Sequence, residues 1–320
     1  MTARVDILCS AYQAAAFIDE TLDSAVRQTH RDWRLWVRDD ASQDDTADRV
    51  AAWAARDPRI RLVHRGAPNL GVVAGFASLL EQLPADTRWV ACLDADDVWR
   101  TDRLACSLAA GQRHEAVAGA GRPLLVHSDA TLIDAAGRTL AASYWAHAGL
   151  RPDRTALTQV AIQNVATSST MLMNRALVDR LRPMPTTGPF SPDWWCALTA
   201  AAFGDIVALD APLMAYRQHT GNDVGATQGG IRGLADLATR VRRVRTSGDR
   251  LRRDVGRTAG QAGAFARRYA DALPAAAAAH LTAVAALPTL PFWARKVALA
   301  RYRLVREHGM LRNLGVLLRG

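Results

Sequence analysis

The strongest constraint on the fold is the alternation of short apolar runs with amphipathic segments over roughly the first hundred residues. The apolar runs are those of β-strands and the amphipathic ones those of helices, and they follow one another at 5–10, 17–28, 35–37, 46–56, 60–64, 72–83 and 89–93. Strands separated by helices of this length form βαβ units and a largely parallel sheet covered on both faces. We therefore predict an α/β fold, in which ligands bind at the carboxyl ends of the strands.

Beyond residue 110 the alternation becomes irregular. Strand-like runs at 124–127 and 169–173 are mixed with helical patterns at 155–163 and 194–203. We expect insertions in this half of the chain to shape an acceptor site.

A change of composition follows the pair Gly229-Gly230, where the sequence becomes rich in arginine and alanine with helical patterning. The sequence therefore predicts a catalytic domain over 1–228 and a basic helical region over 229–320. Within the catalytic domain, a nucleotide-binding half of about 1–110 would precede an acceptor half of about 111–228.

The net charge of +9 is unevenly distributed. Residues 231–320 contain 18 of the 40 Lys and Arg residues but only 5 of the 31 Asp and Glu residues, so the front of the chain is mildly acidic. An acidic front disfavours a nucleic-acid surface, whereas the basic rear could meet phosphates of lipid, nucleic acid or another polyanion. Because the arginines at 240–257 have no interleaved aromatic residues and no nucleic-acid reading motif, we expect attachment to an anionic membrane surface and no specific nucleic acid.

Two further features bear on location. The stretch 272–294 has no charged residue, but it is alanine-rich and contains three prolines, which favours two short helices over a membrane span. The four cysteines show no C-x-x-C spacing, and charge appears near the amino terminus before any long apolar run. We predict a cytoplasmic protein, peripheral on the inner face of the cytoplasmic membrane.

An acidic cluster, Asp94-Ala95-Asp96-Asp97, directly follows the buried strand pattern at 89–93. Carboxylates at a strand end form an oxygen-rich ligand set suited to Mg²⁺ or Mn²⁺. Such an ion stabilises the negative charge that develops on a departing nucleoside diphosphate. A solvated turn or a helix N-cap is the alternative interpretation.

Polar residues also follow the earlier strands. A carboxylate at Asp39 or Asp40 could accept the imide N–H of uracil or thymine, and Ala11 and Tyr12 offer a backbone edge and a ring for base stacking. Asn69-Leu70-Gly71 could supply a turn near the nucleotide, although this pattern is common in ordinary turns. Asp44 or Asp45 is expected to cap the helix that begins at Thr46.

Together these segments resemble, in order, the signatures of the inverting family 2 glycosyltransferases with the GT-A fold. The similar segments are VDILCSAY at 5–12, SAVRQT at 24–29, VRDDAS at 37–42, NLG at 69–71 and LDADDVW at 93–99. The resemblance covers about residues 4–225 and implies a mixed central sheet flanked by helices. It implies that Tyr12 and Asp39 contact the base. Asp94, Ala95 and Asp96 are then expected at the donor, with Asp94 on the ribose or the metal and Asp96 on the metal and diphosphate.

Inverting transfer needs a general base that takes the proton of the acceptor hydroxyl. Family members carry this base at the start of a helix about a hundred residues after the metal cluster, and Asp193 occupies the matching place. A helix-capping role is the alternative for Asp193. The adjacent Trp194 and Trp195 could form an apolar floor under a sugar, belong to the core, or do both.

The run Tyr216-Arg217-Gln218-His219 resembles a subgroup enriched in rhamnosyltransferases. This resemblance suggests the donor sugar. His219 could ligate the metal or bond a phosphate, and Arg217 could neutralise the charge of the diphosphate. A structural role is the alternative interpretation of His219. Asp129, after the strand pattern at 124–127, resembles an acceptor-side position.

We therefore predict a metal-dependent glycosyltransferase that moves a sugar, with L-rhamnose from dTDP-rhamnose as the first candidate. The acceptor would be a cell-surface polysaccharide or a lipid-linked saccharide. A UDP-hexose or UDP-N-acetylhexosamine donor is the enzymatic alternative, and a basic nucleic-acid-binding protein is the alternative from another class. A dinucleotide-dependent dehydrogenase is disfavoured because no G-x-G-x-x-G follows the first strand.

Overall fold

The structure is a computed structural model and describes residues 3–66, 68–220 and 237–301. Its strands are β1 (Val5–Ala11), β2 (Trp33–Asp39), β3 (Ile60–His64), β4 (Trp89–Cys92), β5 (Val98–Trp99), β6 (Leu124–Asp134), β7 (Thr139–Ala141), β8 (Leu172–Asn174) and β9 (Asp205–Gln218). Its helices are α1 (Ile18–Val26), α2 (Thr46–Arg56), α3 (Gly71–Glu81), α4 (Arg103–Ala118), α5 (Tyr144–Ala148), α6 (Leu157–Val160), α7 (Arg175–Leu181), α8 (Pro192–Phe203), α9 (Leu237–Arg268), α10 (Ala275–Ala286) and α11 (Phe292–Arg301).

The strands of the described residues form one mixed sheet in the order β3-β2-β1-β4-β8-β6-β9-β5, with β7 paired to β6. β1 lies between β2 and β4 and runs parallel to both, and β8 pairs antiparallel with β4 and β6. The parallel part arises from the βαβ units that the sequence predicts, and helices cover it. The predicted α/β fold with a mixed sheet flanked by helices is confirmed.

The sequence analysis missed β9, the longest strand. It runs parallel to β6 and its end pairs antiparallel with β5, where Val98 is opposite Ala215. Because β5 immediately follows the acidic cluster, this pairing brings the end of β9 beside the carboxylates. The motif at 216–219 therefore reaches the site through sheet pairing.

The sheet separates two hydrophobic cores. One core includes Trp33, Trp89 and Trp99 and lies under α1, α2 and α4. The other lies under α3, α7 and α8, and it includes Phe265 of α9 and Tyr269, which directly follows α9. The carboxyl-terminal helices therefore complete a core of the catalytic region.

The predicted boundary between residues 228 and 229 lies outside the described residues. Within the described carboxyl-terminal part, α9, α10 and α11 confirm the helical patterning predicted for this region. Where the chain is described, no helix combines the length and the apolar character that crossing a bilayer requires.

Candidate functional site

Asp94 lies just beyond the end of β4. It is hydrogen-bonded to a turn of 3-10 helix, Ser168–Thr170, which precedes the neighbouring strand β8. The Asp94 backbone N–H donates to Ser169 Oγ at 2.8 Å, and Ser168 Oγ donates to Asp94 Oδ1 at 2.9 Å. Burial, together with the charge of Asp96, raises the pKa of Asp94 to about 7. A cation placed here would reverse that shift, because it favours the ionised carboxylate.

Asp96 faces His219, with 2.8 Å between Asp96 Oδ2 and His219 Nε2. The two side chains are about one-fifth exposed, so a ligand can reach both. The His219 ring also packs on Phe17, whose ring centre is 4.7 Å away. A carboxylate oxygen and an imidazole nitrogen side by side form two ligands that suit Mn²⁺ or Mg²⁺.

The described residues contain no group of three or more His, Cys, Asp and Glu side chains arranged to hold a metal by themselves. This fits a catalytic cation bound by one or two protein ligands together with substrate phosphate oxygens, which is how Mg²⁺ is usually held. Asp96 and His219 fit that role as direct ligands, and Asp94 is close enough for the Asp96 charge to raise its pKa. The donor diphosphate would complete the coordination.

Arg217 lies beneath this loop with its guanidinium buried. Its backbone N–H donates to Asp97 Oδ1 at 3.0 Å, and its Nε donates to the Asp96 carbonyl at 2.8 Å. A further guanidinium nitrogen donates to Glu20 Oε2 at 2.6 Å. This burial contradicts the predicted contact of Arg217 with the diphosphate, because the guanidinium serves protein acceptors behind the loop. Asp97 is likewise buried, where burial and the charges of Asp96 and Asp94 raise its pKa well above the usual range.

The loops that follow β1 and β2 form the edge of the sheet that is predicted to bind the nucleotide, called the nucleotide edge below. Here Asp39 ends β2 directly opposite Ala11 of β1. Asp39 Oδ2 accepts from the Ser42 backbone N–H at 3.3 Å, whereas Oδ1 is buried and has no hydrogen-bond partner among the described residues. Buried carboxylate oxygens are rarely left in this state, so Oδ1 is available to a ligand donor. Tyr12 beside it is 54% exposed, and a base could stack on its ring.

Asp40 has a different role from its neighbour. Its carboxylate accepts from the backbone N–H groups of Leu70 and Gly71 at 2.9 and 2.8 Å, and it pairs with Arg38. Asp40 is buried and its oxygens are engaged, which contradicts the predicted donor contact. It fixes the turn at Asn69, whose Nδ2 donates to the Asp40 carbonyl at 2.8 Å.

Gly71 in that turn has φ +73°, a conformation that favours glycine, and begins α3. Asn69 Oδ1 accepts from the Gly71 N–H at 3.1 Å. The turn predicted at these residues is therefore present next to the nucleotide edge. Direct contact of Asn69 or Gly71 with a donor stays a prediction.

The loops after β1 and β2 are hydrogen-bonded to each other. Gln13, with φ 50°, donates its N–H to Ser42 Oγ, and its Oε1 accepts from the N–H of Gln43 at 2.9 Å. Asp44 Oδ1 accepts from the Thr46 N–H at 3.1 Å, so Asp44 serves the start of α2 as predicted, while Asp45 makes no side-chain cap bond. These bonds hold the two loops of the nucleotide edge in a fixed shape.

Asp193 lies in the first turn of α8, which Pro192 begins. Its Oδ1 accepts from the Trp194 N–H at 2.7 Å and its Oδ2 accepts from Asn164 Nδ2 at 3.2 Å. Burial raises the pKa of Asp193, and the Asp193 charge in turn contributes to the raised pKa of Asp94. Asp193 is therefore close enough for its charge to act on Asp94, and its role as the base at the acceptor stays a prediction.

The structure favours the core alternative for Trp194 and Trp195 and gives Asp129 a structural role. Trp195 is 0% exposed and packs on Phe265 of α9, and Trp194 is also buried, with its Nε1 donating to the Val160 carbonyl at 2.6 Å. Both indoles belong to the core and form no floor under a sugar. Asp129 lies within β6, buried, where its carboxylate accepts from the Trp145 N–H at 3.0 Å and holds the start of α5.

The sequence analysis missed two aromatic residues that do border the site. The rings of Tyr144 and Tyr216 meet edge to face with their centres 5.5 Å apart. Burial, with the Asp193 charge, raises the pKa of Tyr144 to about 12, and the charges of Asp97 and Asp94 contribute to the raised pKa of Tyr216. Tyr144 is therefore close to Asp193, and Tyr216 is close to the acidic cluster. In the sequence, the only indication of either residue is that Tyr216 begins the segment 216–219.

Comparisons with known proteins identify similar glycosyltransferases. The chain is similar to the putative teichuronic acid biosynthesis glycosyltransferase TuaG of Bacillus subtilis, with 34% identity over 31% of this chain and 38% of that protein. It is 32% identical, over the same shares, to an Escherichia coli enzyme, the UDP-Glc:alpha-D-GlcNAc-diphosphoundecaprenol beta-1,3-glucosyltransferase WfgD. The chain thus matches less than half of the length of these relatives.

Among solved structures, that of S. aureus TarS 1-349 in complex with UDP-GlcNAc superposes with a TM-score of 0.57. The match covers 89% of this chain and 71% of that one at 15% identity, and it supports the fold alone. The sequence model of the family described as glycosyl transferase family 2 matches residues 6–172. This match covers more than half of the chain and includes the acidic cluster and both nucleotide-edge loops. The chain therefore belongs to glycosyl transferase family 2.

Proposed function

We propose that the protein is an inverting glycosyltransferase that uses a divalent cation to release a nucleoside diphosphate. The observation that carries this proposal is the 2.8 Å contact between Asp96, just beyond the end of β4, and His219, just beyond the end of β9, close to Asp94. A cation held by Asp96, His219 and the diphosphate would neutralise the charge that develops on the leaving group.

The chain's own residues supply the remaining steps. Asp39 Oδ1 accepts the imide N–H of the base, and Tyr12 covers the base from the solvent side. Asp193 accepts the proton of the acceptor hydroxyl as that oxygen attacks the anomeric carbon from the face opposite the diphosphate. Burial raises the pKa of Asp193, which brings this carboxylate closer to the pKa range of an effective general base.

The base recognised is uracil or thymine, because both carry the imide N–H that Asp39 can accept. For the sugar, the resemblance at 216–219 favours L-rhamnose from dTDP-rhamnose. UDP-glucose and UDP-N-acetylglucosamine are the alternatives, in line with the names of WfgD and the TarS complex. Purified protein with Mn²⁺ and a panel of dTDP- and UDP-sugars, assayed for nucleoside diphosphate release, tests the proposal. Absence of release and of binding with every donor would overturn it.

The acceptor proposed is a growing cell-surface polysaccharide or a lipid-linked saccharide. Support comes from relatives named for teichuronic acid and succinoglycan biosynthesis and for a diphosphoundecaprenol acceptor. A lipid-linked acceptor would bring the enzyme to a membrane surface, which agrees with the basic charge of residues 231–320.

The face of α11 supports attachment to an anionic membrane. Trp293 and Val297, one helical turn apart, are 74% and 64% exposed, and Lys296 Nζ lies 5.1 Å from the centre of the Trp293 ring. No acidic residue occurs between positions 272 and 306. Exposed aromatic and aliphatic groups beside cations are typical of helices that lie in a lipid interface.

Flotation with vesicles containing phosphatidylglycerol tests the attachment. Substitutions suit this test better than truncation after Gly230, because truncation removes Phe265 from the core. We expect Trp293→Ser and Lys296→Glu together to reduce flotation several-fold, whereas the control Val117→Ser, at a 91% exposed position on α4, has no effect. Equal flotation of both variants and the parent would contradict membrane attachment through α11. Salt-sensitive binding of duplex DNA by the parent, without vesicle binding, would favour the nucleic-acid alternative.

A further inference from the structure

The carboxyl-terminal helices contact both chain segments that hold Asp193. One segment is the loop that leads into α8, and the other runs from α6 to Asn164. α9 contacts the first segment, and α10 contacts the second. Neither helix carries any of the residues placed at the donor or the cation.

On the first side, Gln261 of α9 is buried, and its Oε1 accepts from the backbone N–H of Phe190 at 2.7 Å. The Arg257 guanidinium, one turn earlier, lies over the Phe190 ring at 4.8 Å from its centre. That ring meets Trp194 edge to face, with 6.3 Å between centres. Phe190 is three residues before Asp193, so α9 sets the position from which α8 begins.

On the second side, His280 of α10 donates from Nε2 to the Thr158 carbonyl at 3.2 Å. The same short helix, α6, presents the Val160 carbonyl to the Trp194 Nε1. The chain continues to Asn164, whose Nδ2 donates to Asp193 Oδ2. α10 therefore supports the segment that orients the Asp193 carboxylate.

Beneath Asp193, the α8 and α9 surfaces interlock through aromatic rings. Trp195 meets Phe265 with 5.1 Å between ring centres and Tyr269 with 6.3 Å, and Tyr269 also packs against Phe203 at the far end of α8. Rings packed at this density transmit a displacement of one helix to the other. A shift of α9 would thus move the amino end of α8.

We infer that α9 and α10 form a clamp that positions the acceptor-activating carboxylate, with Gln261 as its main positioning residue. The inference rests on the proposed function, because it gives Asp193 the role of base. It assigns the basic carboxyl-terminal helices a part in acceptor activation in addition to any attachment to lipid. Misplacing a base by about 1 Å can cost about a hundredfold in rate.

The test compares Gln261→Leu with Thr258→Val. Gln261→Leu keeps the side-chain volume near its original value and leaves the Phe190 N–H without an acceptor. Thr258 is also buried on α9, and its hydroxyl donates to the Asp254 carbonyl of its own helix, so Thr258→Val is a control that removes a buried hydroxyl from α9 and leaves the Gln261–Phe190 bond in place. Arg257→Gln, at an exposed position, is a second variant that leaves the core intact.

We expect Gln261→Leu to lower kcat about ten- to a hundredfold, with an unchanged KM for the donor. Donor-binding stoichiometry by calorimetry gives the fraction of folded sites, so that kcat is expressed per binding site. Arg257→Gln is expected to lower kcat by a few-fold, and Thr258→Val to match the parent. Amide hydrogen exchange should show faster exchange at Phe190 in Gln261→Leu alone.

Unchanged Phe190 exchange and a kcat per site equal to that of Thr258→Val would overturn the clamp. If Gln261→Leu fails to fold, a kcat for Arg257→Gln equal to that of the parent would also overturn the clamp. These outcomes differ from failure of the proposed function, in which the parent itself shows no transfer while the exchange difference at Phe190 can still be measured.

Discussion

Asp39→Asn is the most informative single change at the nucleotide edge. The parent carboxylate has two oxygens, of which Oδ2 serves the Ser42 N–H and Oδ1 is buried without a partner among the described residues. The substituted amide has one oxygen and one NH₂ group. If its oxygen stays with Ser42, its NH₂ group faces the imide N–H of the base, and two donors oppose each other.

The expected loss follows from the bond that disappears. A hydrogen bond to a charged group contributes about 1.5–3 kcal/mol, which corresponds to roughly a ten- to hundredfold change in affinity. CDP provides an internal control, because cytosine has an acceptor at N3 where uracil has a donor. The parent should therefore prefer UDP to CDP strongly, and Asp39→Asn should reduce that preference by at least about tenfold.

Isothermal titration calorimetry of UDP, dTDP and CDP measures both quantities. The matched control is Asp45→Asn, an exposed change in the same loop at a side chain that makes no cap bond. UDP affinity in Asp39→Asn within about twofold of the parent, with an unaltered UDP-to-CDP ratio, would refute the assignment of Oδ1 to the base.

Four further predictions concern other parts of the molecule. Asp193→Asn should lower kcat about 10²–10⁴-fold without weakening donor binding, and a loss below threefold in a transfer assay would contradict its role as base. Burial raises the pKa of Asp193, and the base must be ionised to act. The kcat/KM of the parent should therefore fall as the pH drops through a value above the usual aspartate pKa range, and a pH–rate profile that stays flat in that pH range would contradict the role of Asp193 as base. Arg217→Met should lower the free energy of unfolding by about 3 kcal/mol and Tm by roughly 6 °C, since buried acceptors lose their donor, and an unchanged Tm in scanning calorimetry is the opposing result. Trp195→Ala should cost about 3–5 kcal/mol in urea unfolding, whereas a stability equal to the parent's would mean that α9 does not pack on it.

The nucleotide-binding half could be predicted from the sequence because its signals are local. α2 and β3 begin and end where the hydrophobic periodicity predicts, at Thr46–Arg56 and Ile60–His64. A buried strand followed by an acidic cluster also predicts a strand end with carboxylates, and the structure has it after β4. Here the spacing of apolar residues and the position of the polar ones give the same answer.

The path of β9 could not be predicted in this way. Its sequence contains Pro212 and acidic residues that interrupt the alternation expected of a strand. The pairing depends on β6, some eighty residues earlier, and the register with β6 shifts around Asp129. Such long-range pairing leaves little local signal.

The misassigned side chains have a common physical cause. Arg217 and Trp195 were placed in the site from their neighbours in the chain, but burial depends on elements that are distant in sequence. α1 and the acidic loop enclose Arg217, and α9 covers Trp195. A polar or aromatic residue next to a motif therefore lies near the site, but the sequence does not show whether its side chain points into the site or into the core.

The most direct measurement is the effect of Mn²⁺ on nucleoside diphosphate binding by calorimetry, compared between the parent, Asp96→Ala and the control Asp102→Ala. Asp102 is an exposed aspartate that pairs with Arg100 in the next loop. If Asp96 and His219 hold a cation against the diphosphate, Mn²⁺ should strengthen binding at least about tenfold in the parent and in Asp102→Ala. The enhancement should fall below about twofold in Asp96→Ala. Equal enhancement in all three proteins, or none in the parent, would contradict a cation site at the end of β4.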